Sequence, residues 1–258
     1  MTDKKHYKYA LVGNDISYTR SPEIHKAIAD VIGISVGFEV ADVPADGFER
    51  CVERLIATCD GFFVTKPYKL SVKRFLSEAR TGGGVNAVDC KSRVGYNTDG
   101  IGFIRAADSN LTDWRNKVKS ALVLGSGGAA YSVAEALVKA GKRVYVLNRT
   151  LMNAAKLCAA VGAELYVNQP AELVVNCTSL GANGEDALSA LCVLPDFEYA
   201  YDLAYVRRTA FLNRCERTGA RVCDGLPMLV YQAIEGVKLI TNVDVDVEEV
   251  YKGVMERL

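Results

Sequence analysis

The sequence predicts an α/β protein organised as two α/β domains flanking a cleft. Short β-rich runs alternate with runs of helical period along the chain, the pattern of mostly parallel strands joined by helices. The strand series restarts near Lys119 after a helical stretch, which separates a first set of elements from a second. That second set opens with Ala121-Leu122-Val123-Leu124, a continuous apolar run expected of a strand covered on both faces. At 258 residues, half of them apolar, the chain is long enough for two modest domains with sizeable cores.

In chain order, residues 9–13 read as the first strand. Ser21-Pro22 opens a helix through Ile24, Ala27, Ile28 and Ile32, with serine as N-cap and proline in the first helical position. Residues 36–40 read as a strand, 47–57 as a helix, and 61–65 as a third strand ending at Lys66-Pro67. Further strand signals lie at 85–90 and 93–96. After the restart, the apolar strand runs into Gly125-Ser126-Gly127-Gly128-Ala129-Ala130 and a helix through Val133, Leu137 and Val138, ended by Gly141. Strands follow at 144–147, 173–177, 199–203 and 222–223, and residues 228–258 read as helical around an acidic loop near 242–246. The expected domains are 1–102 joined by 233–258, and 103–232 between them.

Charge and composition exclude several functions. Lys plus Arg number 31 and so do Asp plus Glu, giving zero formal net charge. A neutral chain without a basic run argues against a nucleic-acid or membrane-surface partner, so any bound anion must be caught by a local site. No stretch approaches the ~20 apolar residues of a membrane helix. The opening MTDKKHYKYALVGND has no signal core, so a cytoplasmic location is expected. The eight cysteines are scattered and form no CxxC, which favours buried reduced thiols over disulfides. With His6 and His25 as the only histidines, no metal site is expected.

Gly125, Ser126, Gly127, Gly128 and Ala129 sit between a buried-type strand and a helix, the context of a phosphate-binding turn in a Rossmann-like dinucleotide-binding domain. Glycine lets the backbone approach a pyrophosphate, and the helix N-terminus offers free N–H groups. The pattern departs from G-x-G-x-x-G, because the second and third glycines adjoin and Ala130 takes the last position. A glycine turn that merely closes a βα corner is the plain alternative. The next strand ends in Asn148-Arg149-Thr150, where an NAD-binding chain usually carries an acid for the ribose hydroxyls. An arginine there can grip a 2′-phosphate, so the expected cofactor is NADP rather than NAD.

Polar motifs in the first hundred residues gather at strand ends, where α/β folds build their sites. They are Thr19-Arg20-Ser21-Pro22, Val64-Thr65-Lys66-Pro67-Tyr68-Lys69, Val85-Asn86-Ala87 and Asn97-Thr98-Asp99-Gly100. Together with the glycine turn, Asn148-Arg149-Thr150, Asn176-Cys177-Thr178-Ser179 and Asp224-Gly225-Leu226, they resemble the shikimate dehydrogenase family over nearly the whole chain. The resemblance implies NADP-dependent reduction of 3-dehydroshikimate to shikimate, a step of aromatic amino acid biosynthesis. It implies a substrate-binding and catalytic first domain, an NADP-binding second domain, and a monomer or homodimer with a small-molecule substrate. The catalytic pair falls on Lys69 and Asp99. A positioned lysine suits the proton transfer that accompanies hydride delivery to a ketone, and a carboxylate can orient it. Thr19, Ser21, Thr65, Asn86, Tyr205 and Gln232 match the family's substrate contacts, and Leu203 and Gly225 match positions lining the nicotinamide. His25 lies in the family's Ser-Pro-x-x-His run, where a structural role under the first helix is expected.

Four positions depart from the family pattern. Thr19 replaces a serine, Phe63 an asparagine, Pro227 a glycine, and Asn153 a second basic residue for the 2′-phosphate, with Lys156 nearby. Phe63 either leaves a substrate hydroxyl unpaired, costing ~1–3 kcal/mol, or points into the core while the site repacks. Thr19 and Phe63 keep open a relative acting on quinate or an aminated shikimate analogue. A non-catalytic NADP-binding protein is the alternative from another class, against which Lys69, Asp99 and Asn86 count.

Overall fold

The computed structural model describes residues 5–181, 184–191, 194–205 and 207–258. The first elements are β1 (His6–Gly13), α1 (Ser21–Ile32), β2 (Ser35–Asp42), α2 (Phe48–Thr58) and β3 (Gly61–Val64). A 3-10 segment, Ser71–Phe75, precedes β4 (Glu78–Ala79), β5 (Ala87–Asp89) and β6 (Val94–Tyr96). Then come α3 (Asp99–Asn110), α4 (Trp114–Lys117), β7 (Ser120–Leu124), α5 (Gly128–Lys139), β8 (Arg143–Leu147), α6 (Leu151–Val161) and β9 (Glu164–Leu165). The chain closes with β10 (Leu173–Asn176), a 3-10 segment Ala187–Ala190, β11 (Tyr199–Asp202), α7 (Ala210–Arg217), β12 (Arg221–Cys223), α8 (Leu226–Thr241) and α9 (Val247–Met255).

Two compact units result, the residues up to Thr98 with Val230–Leu258, and Asp99–Leu229. The sequence leads to breaks after 102 and 232, whereas the units divide at 98 and 229. α3 packs along α5, with Gly100 lying against Ser132 and Ala136, so the helix joins the second unit from its first residue.

The first unit holds a mixed sheet in the order β2-β1-β3-β5-β6-β4. β1 runs parallel to both β2 and β3, while β5 is antiparallel to β3 and β6. On one face, Ala10, Val12, Phe62 and Val64 meet Phe48, Cys51, Val52 and Leu55 of α2. Those four α2 residues recur at helical spacing and are the buried residues of that helix, which is why it lies flat on the sheet. α1 begins with Ser21 itself; Arg20 is the residue at its N-cap, and no side chain caps that end. Ser21 therefore does not cap the helix, and its N–H bonds Thr19 Oγ1 at 3.2 Å.

The second unit holds a wholly parallel sheet in the order β12-β11-β10-β7-β8-β9. Counted from β7, this is the 3-2-1-4-5-6 order of a doubly wound dinucleotide fold, read from the opposite edge. All of β7 is buried, as its apolar run requires. The strand order reverses between β7 and β10, and a crevice at their carboxyl ends is where such folds bind ligands. Helices α6 and α7 are not among the elements read from the sequence. The eight residues of α7 bury one short stripe, Phe211, Leu212 and Cys215, and α6 buries Ala154, Leu157 and Cys158 while leaving Leu151 and Met152 exposed.

Candidate functional site

In the first unit the predicted substrate residues meet at one sheet edge. β1 and β3 are parallel, with Val12 opposite Val64, so their carboxyl ends lie side by side. Thr65 N–H bonds the Val12 carbonyl at 3.0 Å, and Gly13 packs against the Thr65 side chain. Thr19, in the loop after β1, and Ser21, the first residue of α1, have their hydroxyls 3.1 Å apart in a hydrogen bond. Lys66-Pro67 is a cis peptide, and Tyr68 N–H closes the turn on the Thr65 carbonyl at 2.9 Å. Lys69 follows that turn half-buried, its carbonyl accepting from Val85 N–H at 2.7 Å and its stem resting on Gly84.

Because β5 runs antiparallel to β3, its first residues arrive at the same edge. Asn86 is buried there; its amide donates to Gln232 Oε1 at 3.0 Å and to Thr98 Oγ1 at 3.0 Å, and its oxygen accepts from Thr98 N–H at 2.8 Å. Thr98 also donates to the Gln232 carbonyl at 2.8 Å, so Asn86, Thr98 and Gln232 form one cluster. Thr98 is the member of that cluster to which the sequence assigns no role. Asp99, the next residue, is buried and opens α3 in the second unit, with Lys69 belonging to the first.

Phe63 is 3% exposed and points away from this polar edge. Its ring lies 4.3 Å from His25 and edge-on to Tyr9 at 6.0 Å, with Phe38 stacked beyond at 6.4 Å, and it packs onto Gly236 of α8. Of the two outcomes open at Phe63, the side chain takes the one in the core. His25 is equally enclosed, and its Nδ1 and the Ser21 carbonyl are 2.8 Å apart in a hydrogen bond. Burial pulls the imidazole down to about 4, the Ser21 carbonyl acting against it, so His25 is neutral at physiological pH.

In the second unit a cleft of about 610 Å³ opens at the carboxyl ends of β7, β8 and β10. Gly125, Ser126, Gly127, Asn148 and Arg149 line one side; Cys177, Thr178 and Ser179 line the other. Gly125 has φ 107°, and a Cβ there would lie 3.2 Å from the Cys177 carbonyl, so the turn demands glycine. Gly128 and Ala129 form the first turn of α5, and no side chain caps that helix end, which leaves its N–H groups for an anion. Arg149 is exposed on the cleft wall, and no carboxylate among the described residues pairs with it. Thr150 precedes α6, where its carbonyl accepts from the Asn148 amide at 3.0 Å. Asn153 and Lys156 are also on α6, Asn153 exposed and Lys156 facing outward. A pyrophosphate on the α5 N-terminus and a 2′-phosphate near Arg149 fit this donor set. The thiol of Cys177 is pushed up by burial and by Asp202, so it is a neutral wall group. Thr178 and Ser179, part of a motif in the sequence, gain a place as cleft lining because β10 neighbours β7.

Leu203, Tyr205 and Gly225 gather beyond β11 and β12. Gly225 N–H bonds the Ala204 carbonyl at 2.9 Å, and a Cβ on Gly225 would overlap the Leu203 carbonyl. Asp224 caps α8 through Leu226 N–H at 3.0 Å. Pro227 sits within the first turn of α8, where its missing N–H costs no helical bond, so it stiffens the start of that helix. Val206, beside Tyr205, is outside the described residues. Among the described residues no cluster of His, Cys, Asp and Glu could hold a metal ion, and no helix is long and apolar enough to cross a membrane.

Residues 11–88 match the model of the shikimate dehydrogenase substrate binding domain, and residues 106–178 match that of shikimate / quinate 5-dehydrogenase. A shikimate dehydrogenase (NADP(+)) of Staphylococcus aureus strain JH9 is 32% identical over 97% of this chain and 98% of its own length. Among solved structures, shikimate 5-dehydrogenase from Thermus thermophilus, in complex with NADP(H) and shikimate, superposes with a TM-score of 0.85 at 28% identity. The match covers 98% of this chain and 100% of that one. Quinate dehydrogenase from Corynebacterium glutamicum in complex with NAD gives a TM-score of 0.82 at 25% identity, with 98% and 100% covered.

Proposed function

The chain belongs to the shikimate dehydrogenase family, and from that premise we propose that it reduces 3-dehydroshikimate to shikimate with NADPH. The observation that carries the reading is a dinucleotide cleft with Arg149 where an NAD enzyme places an acid, in a chain similar end to end to an NADP-dependent relative. The first unit is the substrate and catalytic domain and the second is the NADP domain. When bound, NADPH supplies the hydride. Thr19 and Ser21 hold the substrate carboxylate by hydroxyl bonds. Thr65, Asn86, Tyr205 and Gln232 hold its ring hydroxyls and fix its orientation. Lys69 gives the proton that the ketone oxygen gains as the hydride arrives, and Asp99 orients the lysine and bonds a substrate hydroxyl. In reverse, neutral Lys69 accepts that proton. Gly125, Ser126, Gly127, Gly128 and Ala129 hold the pyrophosphate; Asn148, Arg149 and Thr150 hold the 2′-phosphorylated ribose. Leu203 and Gly225 line the nicotinamide. The protein acts in the cytoplasm, as a monomer or homodimer.

Phe63 supports shikimate as substrate, because a side chain enclosed by Tyr9, His25 and Phe38 withdraws no partner from the substrate edge. Thr19 keeps a quinate reading in view, as does the likeness to a quinate dehydrogenase. The test is NADPH or NADH formation by the purified protein with shikimate and with quinate, each with NADP and with NAD. Shikimate with NADP is expected to give the highest kcat/KM. Faster turnover of quinate, or of NAD, would contradict the proposal.

A further inference from the structure

The second unit contains a fully buried carboxylate, Asp202, that the sequence does not mark and the proposed chemistry does not use. It stands at the carboxyl end of β11, in register with Asn176 at the end of β10. Each Asp202 oxygen has defined donors. Oδ1 accepts from the Asn176 amide at 3.0 Å and from Ala204 N–H at 3.1 Å, and Oδ2 accepts from the Thr209 hydroxyl at 2.5 Å. Thr209 is the N-cap of α7, its oxygen accepting from Leu212 N–H at 3.3 Å. The segment that leaves β11 is thereby held at Ala204 and again at Thr209 by one side chain. Tyr205 lies just past the first of those points. Gly225 rests on the Leu203 and Ala204 backbone beside it, and Leu203 N–H is fixed to the Asn176 carbonyl at 3.0 Å. The Asn176 side-chain oxygen in turn accepts from Thr178 N–H at 3.1 Å and from the Thr178 hydroxyl at 2.7 Å, so the same group sets the wall of the dinucleotide cleft.

We propose that Asp202 is a positioning residue for the hydride-transfer reaction, holding the 203–205 segment in place against the cofactor wall. The inference rests on the proposed assignment of Leu203 to the nicotinamide and Tyr205 to the substrate. Burial raises the Asp202 carboxyl, and the bonds from Thr209, Ala204 and Asn176 only partly offset it. A folded-state value above the unfolded one means that the ionised group opposes folding at neutral pH, and opposes it less as the pH falls through the folded value. Its three bonds tie the segment bearing Leu203 and Tyr205 to the Asn176–Thr178 wall of the cleft, which is the arrangement a positioning role needs.

The test uses the full chain, with unfolding temperature, NADPH affinity, and kcat and KM for shikimate as readouts. Asp202→Asn keeps the shape and the Oδ1 bonds but loses the charge and the acceptor for Thr209. The expected result is an unfolding temperature at or above that of the wild type, with kcat/KM for shikimate about tenfold or more lower and NADPH affinity within about threefold. Thr209→Val, which removes the same bond from its other end, is expected to lower kcat/KM in the same way, and Thr209→Ser to restore it. That pair decides the question if Asp202→Asn does not fold. Tyr205→Phe runs alongside. If Tyr205→Phe impairs shikimate turnover while Asp202→Asn and Thr209→Val match the wild type, the positioning role is overturned and the site assignment stands. If Tyr205→Phe leaves shikimate kinetics unchanged, the assignment itself fails and takes the inference with it.

Discussion

Phe63 departs from the family pattern without entering the substrate edge. Its ring fills the space between His25, Tyr9 and Phe38 under α1, so its contribution is to packing. Phe63→Leu is expected to cost about 1–2 kcal/mol in urea unfolding and to leave the KM for shikimate within about threefold of the wild type. A large rise in KM at unchanged stability would put the ring in the substrate site. His25 carries a pH dependence of its own. Its imidazole is lowered from 6.5 to about 4, so the unfolded chain binds the proton more readily over that interval. The stability it contributes is fully present above pH 6.5 and is lost as the pH falls to about 4. At 1.36 kcal/mol per pH unit, the loss amounts to roughly 3 kcal/mol. Urea midpoints of the wild type and His25→Gln, compared at neutral and acid pH, should converge on acidification, and parallel curves would contradict it. At Arg149, a charge-assisted bond to a 2′-phosphate makes about 1.5–3 kcal/mol the expected loss. Arg149→Gln should therefore raise the KM for NADP about 10- to 100-fold while barely changing the KM for NAD. Equal effects on both cofactors would remove Arg149 from the 2′-phosphate.

Among the elements, the β7–α5–β8 unit is the most legible in sequence, because its signals are local. A fully buried strand with an apolar run, a glycine turn and a helix follow one another without interruption from Ser120 to Lys139. Gly125 is the pivot of that unit, and Gly125→Ala would force a side chain into φ 107° beside the Cys177 carbonyl. The expected cost is about 1–3 kcal/mol of stability together with weaker NADP binding. Wild-type unfolding and NADP affinity in that variant would show that the turn tolerates a Cβ. Elements stabilised mainly by their neighbours are less visible. Helix α7 buries one short stripe against β11 and β12, and β4 exists through its pairing with β6. At α1 the Ser-Pro pair suggests a cap and a first residue, whereas the chain turns one residue earlier, at Thr19 and Arg20.

Over the whole molecule, the order of strands in the second unit and the gathering of motifs at strand ends follow from the alternating pattern and the family likeness. What a sequence does not display is register. Asn86 and Thr98 meet across the antiparallel β5–β6 pair, and Gln232, distant in the chain, joins them because α8 returns across the first sheet. Asp202 closes an apolar strand like many surface acids, and only its alignment with Asn176 reveals three donors around it. Lys69 lies in the first compact unit, and Asp99 opens α3 as the first residue of the second. The central claim is tested most directly by shikimate oxidation with NADP, followed as NADPH absorbance, in the wild type and in Lys69→Ala. The account predicts turnover by the wild type and a kcat lower by about 10²–10⁴-fold in the variant, with NADPH affinity retained. Folded wild-type protein that binds NADPH but does not oxidise shikimate would contradict it, as would a Lys69→Ala variant as active as the wild type.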